Sequence, residues 1–501
     1  MQARLVVQTY PSLRDAAALA VALAAGLALA LLPLSTALVL VAGTGVLLAA
    51  LVRPEVALWL LIFAVPFGGL RQWSLGGFNV TATEPLVAVL GVAWLAGMVR
   101  QRAIRFTFTP LLIALLLFLG ALLLSLFDAL SLSLSAKELL KWGEFLVVYV
   151  VVVHTVNGYT DYKERRQVAI LLALVLLAGA LEAAWGLYGS LQRLGPPSYA
   201  IVGGRLFRAF GTFGQPNPFG GYINLSLPLG LSLLIGQFAD WRSRAPLHPR
   251  TLAILSACAL LGLALILSWS RGAWLGAAVA VGVVVLAWGV ALLWGARHNE
   301  QLRRAGERLL LVLLIVAIMG GTLVLAGAAD LLPASVTSRL GSIGEQFGVF
   351  AVRTVKLTDE NYAAVERMAH WQAALSMIQA RPLLGYGIGN YPAAYPQYNL
   401  PGWEDPLGHA HNYYLNVAAE TGLVGLAAYL LWLLLACAGA WMVAVRATSG
   451  LGRAVAIGVL GVLAAQTTHN VFDNLWVHSM AVQVALLLGL VYAVGQEPDG
   501  G

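Results

Sequence analysis

Two histidines and an asparagine stand together in HAHNYYLNVAAETG, residues 409–422, just before a long apolar stretch. Because His409 and His411 are two residues apart, their side chains point to different faces of a helix but to the same side of an extended segment. A neutral histidine is a suitable general base near pH 7, and such a base contributes about 10²–10⁴-fold in rate. The pattern therefore predicts either a catalytic base or a histidine that caps the helix, with Glu420 about two turns further in.

Arginines interrupt two other stretches. Arg271 stands in SWSRGAWLG between apolar runs, where a charge costs about 2.5 kcal/mol or more at a bilayer centre. That cost indicates a functional residue, although an arginine at a tight turn can also extend to the membrane surface. Arg367 could also be functional, and the alternative is a solvated charge on a helix that pairs with Glu366 or Asp359. Two arginines that converge would suit a diphosphate, because guanidinium groups bind phosphate oxygens in pairs.

Two further polar groups have simple structural explanations. Lys137, Lys141 and Glu144 share one helical face, where an interfacial Lys–Glu pair is the alternative to an anion contact. His469 and Asp473, in THNVFDNLWVH, are interpreted as helix caps at a short outer turn.

The residue types argue against a metal centre and a cofactor. His409 and His411 lack the partner that an i, i+4 pair or an E-x-x-H spacing supplies. The chain contains no D-x-D, the acidic pair with which many nucleotide-sugar transferases hold a divalent ion. PLLGYGIGNY at 382–391 contains G-x-G, but no predicted strand precedes it, so a dinucleotide fingerprint is not favoured. We therefore predict no metal and no cofactor.

The composition predicts the elements that carry these residues. Of the 501 residues, 60% are hydrophobic and only 11% are charged, whereas charged residues make up about a quarter of a soluble globular chain. Apolar runs of about 18 or more residues recur, each long enough to cross a hydrocarbon core of about 30 Å as a helix. The sequence thus predicts an all-α, polytopic transmembrane bundle of about 12–14 spans. The candidate spans are about 14–32, 35–52, 54–69, 84–99, 110–128, 138–156, 167–189, 217–238, 250–269, 272–295, 307–328, 412–443, 454–470 and 475–495.

The basic residues indicate orientation rather than a nucleic-acid partner. The formal net charge is +7, but most Lys and Arg fall in short connections that alternate between apolar runs, as the positive-inside rule expects for a cytoplasmic N-terminus. The cations left on the outer side cluster in three places. They are Arg205 and Arg208, Arg271, and the loop residues Arg339, Arg353, Lys356, Arg367 and Arg381. This clustering predicts an anionic ligand on the outer face.

The long loop, residues 329–411, is too long to be a bare connector. Asp359 is a suitable N-cap for a helix through about Gln379, on which Arg367 and Trp371 share one face. We therefore divide the chain into N-terminal spans (1–200), central spans with arginine-bearing outer turns (201–328), the outer loop (329–411) and C-terminal spans (412–501).

Five motifs, in this order, resemble the O-antigen ligase superfamily, which also includes polysaccharide polymerases and bacterial protein O-oligosaccharyltransferases. The motifs are GTFGQPNPFGGY (211–222), SRGAWLG (270–276), ERMAHWQAA (366–374), RPLLGYGIGNY (381–391) and HAHNYYLNVAAETGLVGL (409–426). The resemblance implies a GT-C-like fold in a bacterial cytoplasmic membrane. It also implies metal-independent, inverting transfer of a glycan from undecaprenyl diphosphate to an acceptor hydroxyl at the periplasmic face.

The same resemblance implies roles for individual residues. His411 would be the general base, and Arg271 and Arg367 would hold the donor diphosphate. The residues expected to support them are His409, Asn412, Glu420, Arg208, Gln215 and Asn217. The acceptor would be lipid A-core, a second glycan, another lipid or a protein serine or threonine, and membrane lipids would surround the chain.

Two alternatives stay open at this stage. A polymerase or a protein O-oligosaccharyltransferase shares the donor chemistry of a ligase, and the sequence does not separate the three. A lipid-linked glycan transporter or flippase also has many spans with cations. It is expected to place its polar residues on several helices near mid-membrane, often on broken segments, rather than at one outer face.

Overall fold

A computed structural model describes residues 31–75, 78–102, 106–156, 162–239, 248–295, 300–325, 352, 355–358 and 361–496. Within these residues the chain forms 15 α-helices and two short antiparallel hairpins. The helices are α1 (Leu34–Val52), α2 (Pro54–Phe67), α3 (Thr83–Gln101), α4 (Pro110–Leu124), α5 (Leu132–Thr155), α6 (Tyr162–Leu191), α7 (Pro216–Ala239), α8 (Pro249–Leu267), α9 (Arg271–Gly295), α10 (Glu300–Leu325), α11 (Tyr362–Ala380), α12 (Tyr391–Ala394), α13 (Tyr413–Arg446), α14 (Gly450–His469) and α15 (Met480–Val494). Strand β1 (Trp73–Leu75) pairs with β2 (Phe78–Val80), and β3 (Ala200–Ile201) pairs with β4 (Leu206–Phe207).

The helices coincide with the spans predicted from hydropathy. Every predicted span from residue 35 onward overlaps an α-helix, whereas the first predicted span, 14–32, lies almost wholly outside the described residues. Eight segments of the described chain are long and apolar enough to cross a membrane, and three shorter apolar helices accompany them. The eight are Thr83–Gln101, Pro110–Asp128, Arg165–Leu191, Pro216–Gln237, Pro249–Leu267, Arg271–Trp294, Tyr413–Arg446 and Gly450–His469. The prediction of an all-α membrane protein is confirmed.

Side-chain caps fix where several helices begin. Thr109 accepts a hydrogen bond from the N–H of Leu112 (3.0 Å) at the start of α4, and Pro110 has the fixed φ that suits a first helical position. Ser449 accepts a hydrogen bond from the N–H of Gly452 (2.9 Å) at the start of α14. Each cap satisfies a backbone donor that the helix itself leaves unpaired.

Helix α7 lies at the centre of the bundle. Within its apolar part, 89% of an 18-residue window is buried inside the protein. It meets α14 where the Ser232 hydroxyl donates to the carbonyl of Ala454 (2.7 Å), and Trp288 of α9 donates its indole N–H to the same hydroxyl (2.9 Å). Small residues and interhelical hydrogen bonds of this kind stabilise packing in lipid, where the surrounding tails are as apolar as the helices.

Helix α13 is broken, which the predicted continuous span 412–443 did not anticipate. At Gly422 the backbone leaves the helical conformation (φ 66°, ψ −172°). The freed N–H groups of Leu423 and Val424 donate to the carbonyls of Pro382 (2.8 Å) and Leu383 (3.4 Å), which belong to the outer loop. The loop therefore docks into the break and supplies the hydrogen bonds that the helix loses.

The outer-loop turn at residues 388–390 is hydrogen-bonded to the connection between α4 and α5 and to the first turn of α5. Asn390, fully buried, accepts the N–H of Ser131 (2.6 Å) and donates to the hydroxyl of Ser135 (2.8 Å). The hydroxyl of Ser135 in turn donates to the carbonyl of Ile388 (2.7 Å), and the N–H of Ile388 donates to Ser125 (3.0 Å). These bonds tie the outer loop to helices that lie about 250 residues earlier in the chain.

Substitution of Gly422 by alanine is expected to destabilise the fold. A Cβ atom there would lie 2.1 Å from the carbonyl oxygen of Leu383, and the positive φ disfavours any L side chain. We expect a loss of about 2 kcal/mol or more, measured as a lower midpoint of thermal unfolding in detergent. Gly439 of the same helix is the matched control, because a Cβ atom added there would meet no other atom within 4 Å. Gly439→Ala should leave the midpoint unchanged or raise it; an equal loss from both substitutions would contradict the argument.

Candidate active site

Most of the predicted site residues lie where the first turns of α7, α9 and α13 meet the end of α14. Helix α11 contacts this region through Trp371. Gly272, in the first turn of α9, brings its backbone against His469 at the end of α14, since a Cβ atom there would be 2.5 Å from that imidazole. Tyr413, the first residue of α13, donates its N–H to the carbonyl of Asn470 (2.8 Å). These contacts bring the SRG, HAHN and THN motifs together.

His411 adopts a left-handed backbone conformation with φ 51°, which is uncommon for a residue with a side chain and is found often at functional sites. Both its backbone N–H and its backbone carbonyl form hydrogen bonds. Its N–H donates to Nδ1 of His409 (3.0 Å), and its carbonyl accepts the indole N–H of Trp371 on α11 (3.3 Å). The predicted shared face of Arg367 and Trp371 on the loop helix therefore points toward the HAHN segment.

Asp473 lies beside both histidines. One of its carboxylate oxygens is 3.9 Å from Nδ1 of His411 and 3.8 Å from Nε2 of His409. The opposite nitrogen of His411, Nε2, is buried and has no hydrogen-bond partner within the described residues. The interpretation of Asp473 as a simple helix cap is thus incomplete, since its side chain faces the histidines.

Burial and the neighbouring charges set the protonation states. Burial lowers the pKa of both His409 and His411 below the usual range. Burial alone would raise the pKa of Asp473. The surrounding histidines and the N–H of Asn474 lower it by more than burial raises it, so the pKa of Asp473 falls below its usual value. At neutral pH the site therefore holds a carboxylate flanked by two neutral imidazoles.

The same three residues are the cluster in the described chain that comes closest to a metal site. Ligand atoms of His409, His411 and Asp473 lie within 4.8 Å of one another. However, Nδ1 of His409 accepts the N–H of His411, so the ring proton of neutral His409 must be on Nε2. A protonated Nε2 has no lone pair for a metal ion, and the arrangement does not fit one.

Arg367 of α11 is half-buried close to this carboxylate. Its Nε and one terminal nitrogen, Nη1, have no hydrogen-bond partner among the described residues. Burial lowers the pKa of Arg367, and the charges of Asp473 and Glu366 raise it again in part. Donors of a buried guanidinium that no protein group accepts are suited to an anionic ligand.

Two further arginines lie just after β4 and at the start of α9. Arg208 donates from Nε to the carbonyl of Ser268 (3.1 Å) and from Nη2 to the amide oxygen of Asn217 (3.3 Å), both uncharged acceptors. Burial lowers its pKa to about 10, and the nearby charge of Arg271 lowers it as well. Arg271 is the first residue of α9 and only 8% exposed.

The other predicted supporting residues differ in their roles. Asn412 caps α13 by accepting the N–H of Leu415 (3.1 Å), and buried Glu420 accepts the N–H of Tyr391 (3.0 Å). Both therefore satisfy backbone donors, and Glu420 orients the outer loop. Gln215 is exposed just before α7 and contributes its carbonyl to the N–H of Phe219 (3.3 Å).

The structure adds residues that the sequence did not single out. His370 of α11 stacks on Tyr395 (4.7 Å between ring centroids) and meets the ring of His411 edge to face (5.5 Å). The sequence signal that could have indicated His370 was its position directly before Trp371. Lys141 pairs with Glu138 rather than with Glu144, and its ammonium group donates to a carbonyl of the turn that carries Asp473.

Arg339 and Arg353 of the predicted outer cation cluster, and the predicted cap Asp359, lie outside the described residues. The loop helix begins at Tyr362, with Asn361 at its N-cap position. Of the remaining outer cations, Arg381 is half-exposed and lies 3.8 Å from Asp128, away from the histidines.

Comparison with known proteins agrees with the motifs. A family model described as O-Antigen ligase matches residues 256–430. The matched segment includes Arg271, Arg367 and His411, whereas Arg208 and Asp473 lie outside it. No curated protein matches the chain. The match supports a membrane enzyme of the ligase or polymerase type. Residues 256–430 are thus similar to the O-antigen ligase family, and the apolar helices indicate an integral membrane protein.

Proposed function

We propose that the chain transfers a glycan from an undecaprenyl-diphosphate carrier to an acceptor hydroxyl, with inversion and without a metal ion. The observation that carries the proposal is the placement of His411. Its Nδ1 faces buried Asp473, and its Nε2 is buried with no hydrogen-bond partner in the described part of the chain. In a general base of this kind the carboxylate orients one ring nitrogen, and the other accepts a proton.

The reaction is a single displacement. Nε2 of His411 takes the proton of the acceptor hydroxyl while the hydroxyl oxygen attacks the anomeric carbon. The bond from that carbon to the diphosphate oxygen breaks, and its electrons leave with undecaprenyl diphosphate. Asp473 stabilises the imidazolium that forms. Diphosphate is a good leaving group, so no general acid is required, and attack from the opposite side inverts the anomeric centre.

Three arginines would hold the diphosphate. Two buried donors of Arg367 have no acceptor among the described residues, and Arg208 and Arg271 lie close enough to influence each other electrostatically. Guanidinium groups keep their charge when desolvated and bind phosphate oxygens in pairs. Charge that develops on the departing oxygen is stabilised more strongly by such fixed groups than by water.

An apolar groove offers a place for the carrier's lipid tail. It lies between α4 and α13, has a volume of about 790 Å³, and is lined almost entirely by apolar side chains. One wall ends at Phe127 and the other begins at Val424, just past the break in α13 into which the outer loop docks. A polyprenyl chain in this groove would leave its diphosphate on the side of the loop.

We assign the site to the periplasmic face of the bacterial cytoplasmic membrane, because the basic connections favour that orientation. The acceptor hydroxyl belongs to lipid A-core in a ligase, to a second lipid-linked glycan in a polymerase, and to a serine or threonine in a protein O-oligosaccharyltransferase. All three share the donor chemistry, and the description of the matched family favours the ligase.

One observation favours a transporter as the second candidate. Helix α13 is broken at Gly422, and broken helices are common at the binding sites of transporters. Against this stands the clustering of His411, Arg271 and Arg367 at helix ends and on the loop helix, rather than along several helices at mid-membrane.

The test uses purified protein in nanodiscs and in sealed proteoliposomes, an undecaprenyl-diphosphate-linked glycan, EDTA and one acceptor of each class. We expect release of undecaprenyl diphosphate together with a product of inverted anomeric configuration, and the productive acceptor would identify the branch. A donor that stays intact with every acceptor but crosses the sealed bilayer would establish a transporter instead.

A further inference from the structure

We infer that His409 is a positioning residue that holds His411 through one fixed tautomer: its Nδ1 accepts the backbone N–H of His411, and its Nε2–H is directed at Asp473. This inference rests on the proposed role of His411 as the base. It assigns a function to the first histidine of HAHN that is separate from proton transfer and from metal binding.

The tautomer follows from one contact. The N–H of His411 lies 3.0 Å from Nδ1 of His409 and must be met by a lone pair. The proton of the neutral ring is therefore on Nε2, which faces Asp473 at 3.8 Å. This contact between a side chain and the amide two residues later also explains the H-x-H spacing, as in turns in which an asparagine or aspartate side chain accepts that amide.

The contact acts on a strained part of the chain. His411 is held at φ 51°, and its peptide is fastened on one side by His409 and on the other by Trp371. Without the first bond, the N–H of His411 would lose its acceptor and the left-handed conformation would lose one of its supports. The imidazole of His411 would then no longer be held toward the acceptor hydroxyl.

The second contact of His409 is with Asp473, whose carboxylate also lies near His411. The same oxygen of Asp473 lies 3.8 Å from His409 and 3.9 Å from His411. The charged and titratable groups that act on His411 are His409, Asp473, Arg367 and His370, and those that act on His409 are Asp473 and Lys141. Asp473 also accepts the N–H of Asn474 and is acted on by His469. Without the donor from His409, Asp473 would interact more strongly with His411 and would favour its protonated form.

Two substitutions separate the two contacts. In His409→Asn the amide oxygen can replace Nδ1 as the acceptor for the N–H of His411, but the side chain is too short to reach Asp473. In His409→Gln the longer amide can reach toward Asp473, but no acceptor remains in the position of Nδ1. Transfer from the undecaprenyl-diphosphate-linked glycan is measured as kcat and kcat/KM between about pH 3 and pH 9, with the thermal midpoint of each variant as the control for folding.

We expect His409→Asn to keep kcat at high pH within about threefold, while the acid limb of kcat/KM moves to higher pH by several tenths of a unit or more. We expect His409→Gln to lose about 5–10-fold in kcat with little movement of the limb. A residue with only a structural role would lower activity and the thermal midpoint without moving the limb. Any other pattern, including equal behaviour of the two variants, overturns the inference.

The two proposals can fail separately. If wild type transfers glycan and His411→Ala does not, while the His409 variants lack the expected pattern, only the role of His409 is lost. If His411→Ala transfers glycan like wild type, the proposed base is wrong regardless of His409.

Discussion

Replacement of His411 by alanine is expected to reduce glycan transfer by about 10²–10⁴-fold, the usual contribution of a general base. The acceptor hydroxyl would then lose the group that takes its proton in the proposed mechanism, the buried Nε2 of His411. The substitution removes no core packing of an apolar side chain, so folded protein should still be obtained. Transfer is measured as release of undecaprenyl diphosphate by purified protein with saturating donor and acceptor.

His248 provides the matched control for this substitution. It stands at the N-cap of α8, where its Nδ1 accepts the N–H of Arg250 (3.2 Å), and it has no contact with the histidine cluster. His248→Ala should keep transfer within about twofold, at a small cost in helix stability. A His411→Ala variant that retains more than about a tenth of wild-type kcat would contradict a role as base.

Replacement of Arg367 is expected to have the next largest effect. Arg367→Ala should lower kcat/KM for the donor by about 10²–10³-fold, the loss seen when one fixed donor to a developing charge is removed. Arg367→Lys should recover only part of it, because an ammonium group keeps the charge but lacks the planar pair of donors. Burial adds to both losses, since a group buried beside Asp473 acts at low dielectric.

Product affinity distinguishes donor binding from a structural role. Both Arg367 variants should bind undecaprenyl diphosphate more weakly than wild type. Arg205, exposed in the turn between β3 and β4, is the matched control on the outer side, and Arg205→Ala should bind it like wild type. Unchanged product affinity in the Arg367 variants, with a lower thermal midpoint, would mean that Arg367 only balances the charge of Asp473.

The spans could be predicted from the sequence because the cost of placing residues in hydrocarbon is a local property of each segment. The break in α13 could not. ETGLVGLAAYLL reads as one apolar helix, and the positive φ of Gly422 has a cause only when Pro382 and Leu383 dock there. A contact between segments about 40 residues apart produces no hydrophobic periodicity from which it could be predicted.

The candidate site was predicted in part. The motifs pointed to His411, Arg271 and Arg367. The structure places His411 and Arg271 at helix ends and Arg367 on the neighbouring loop helix. Asp473 was assigned to a cap because its partners lie more than 60 residues earlier in the chain. Glu420 and Asn412 were expected to support the chemistry, but both accept backbone N–H groups, a need that becomes visible only with the outer loop in place.

The pH dependence of kcat/KM for wild type tests the central claim most directly, because it reports the protonation of His411 in the free enzyme. Burial lowers the pKa of His411, so the base stays neutral as the pH falls through 6.5, the usual value for histidine. The account predicts a level profile from pH 8 through pH 6.5 and a one-proton decline at lower pH, which is absent from the residual activity of His411→Ala. A profile that already declines above pH 7, or an acid limb that persists without His411, would contradict the account.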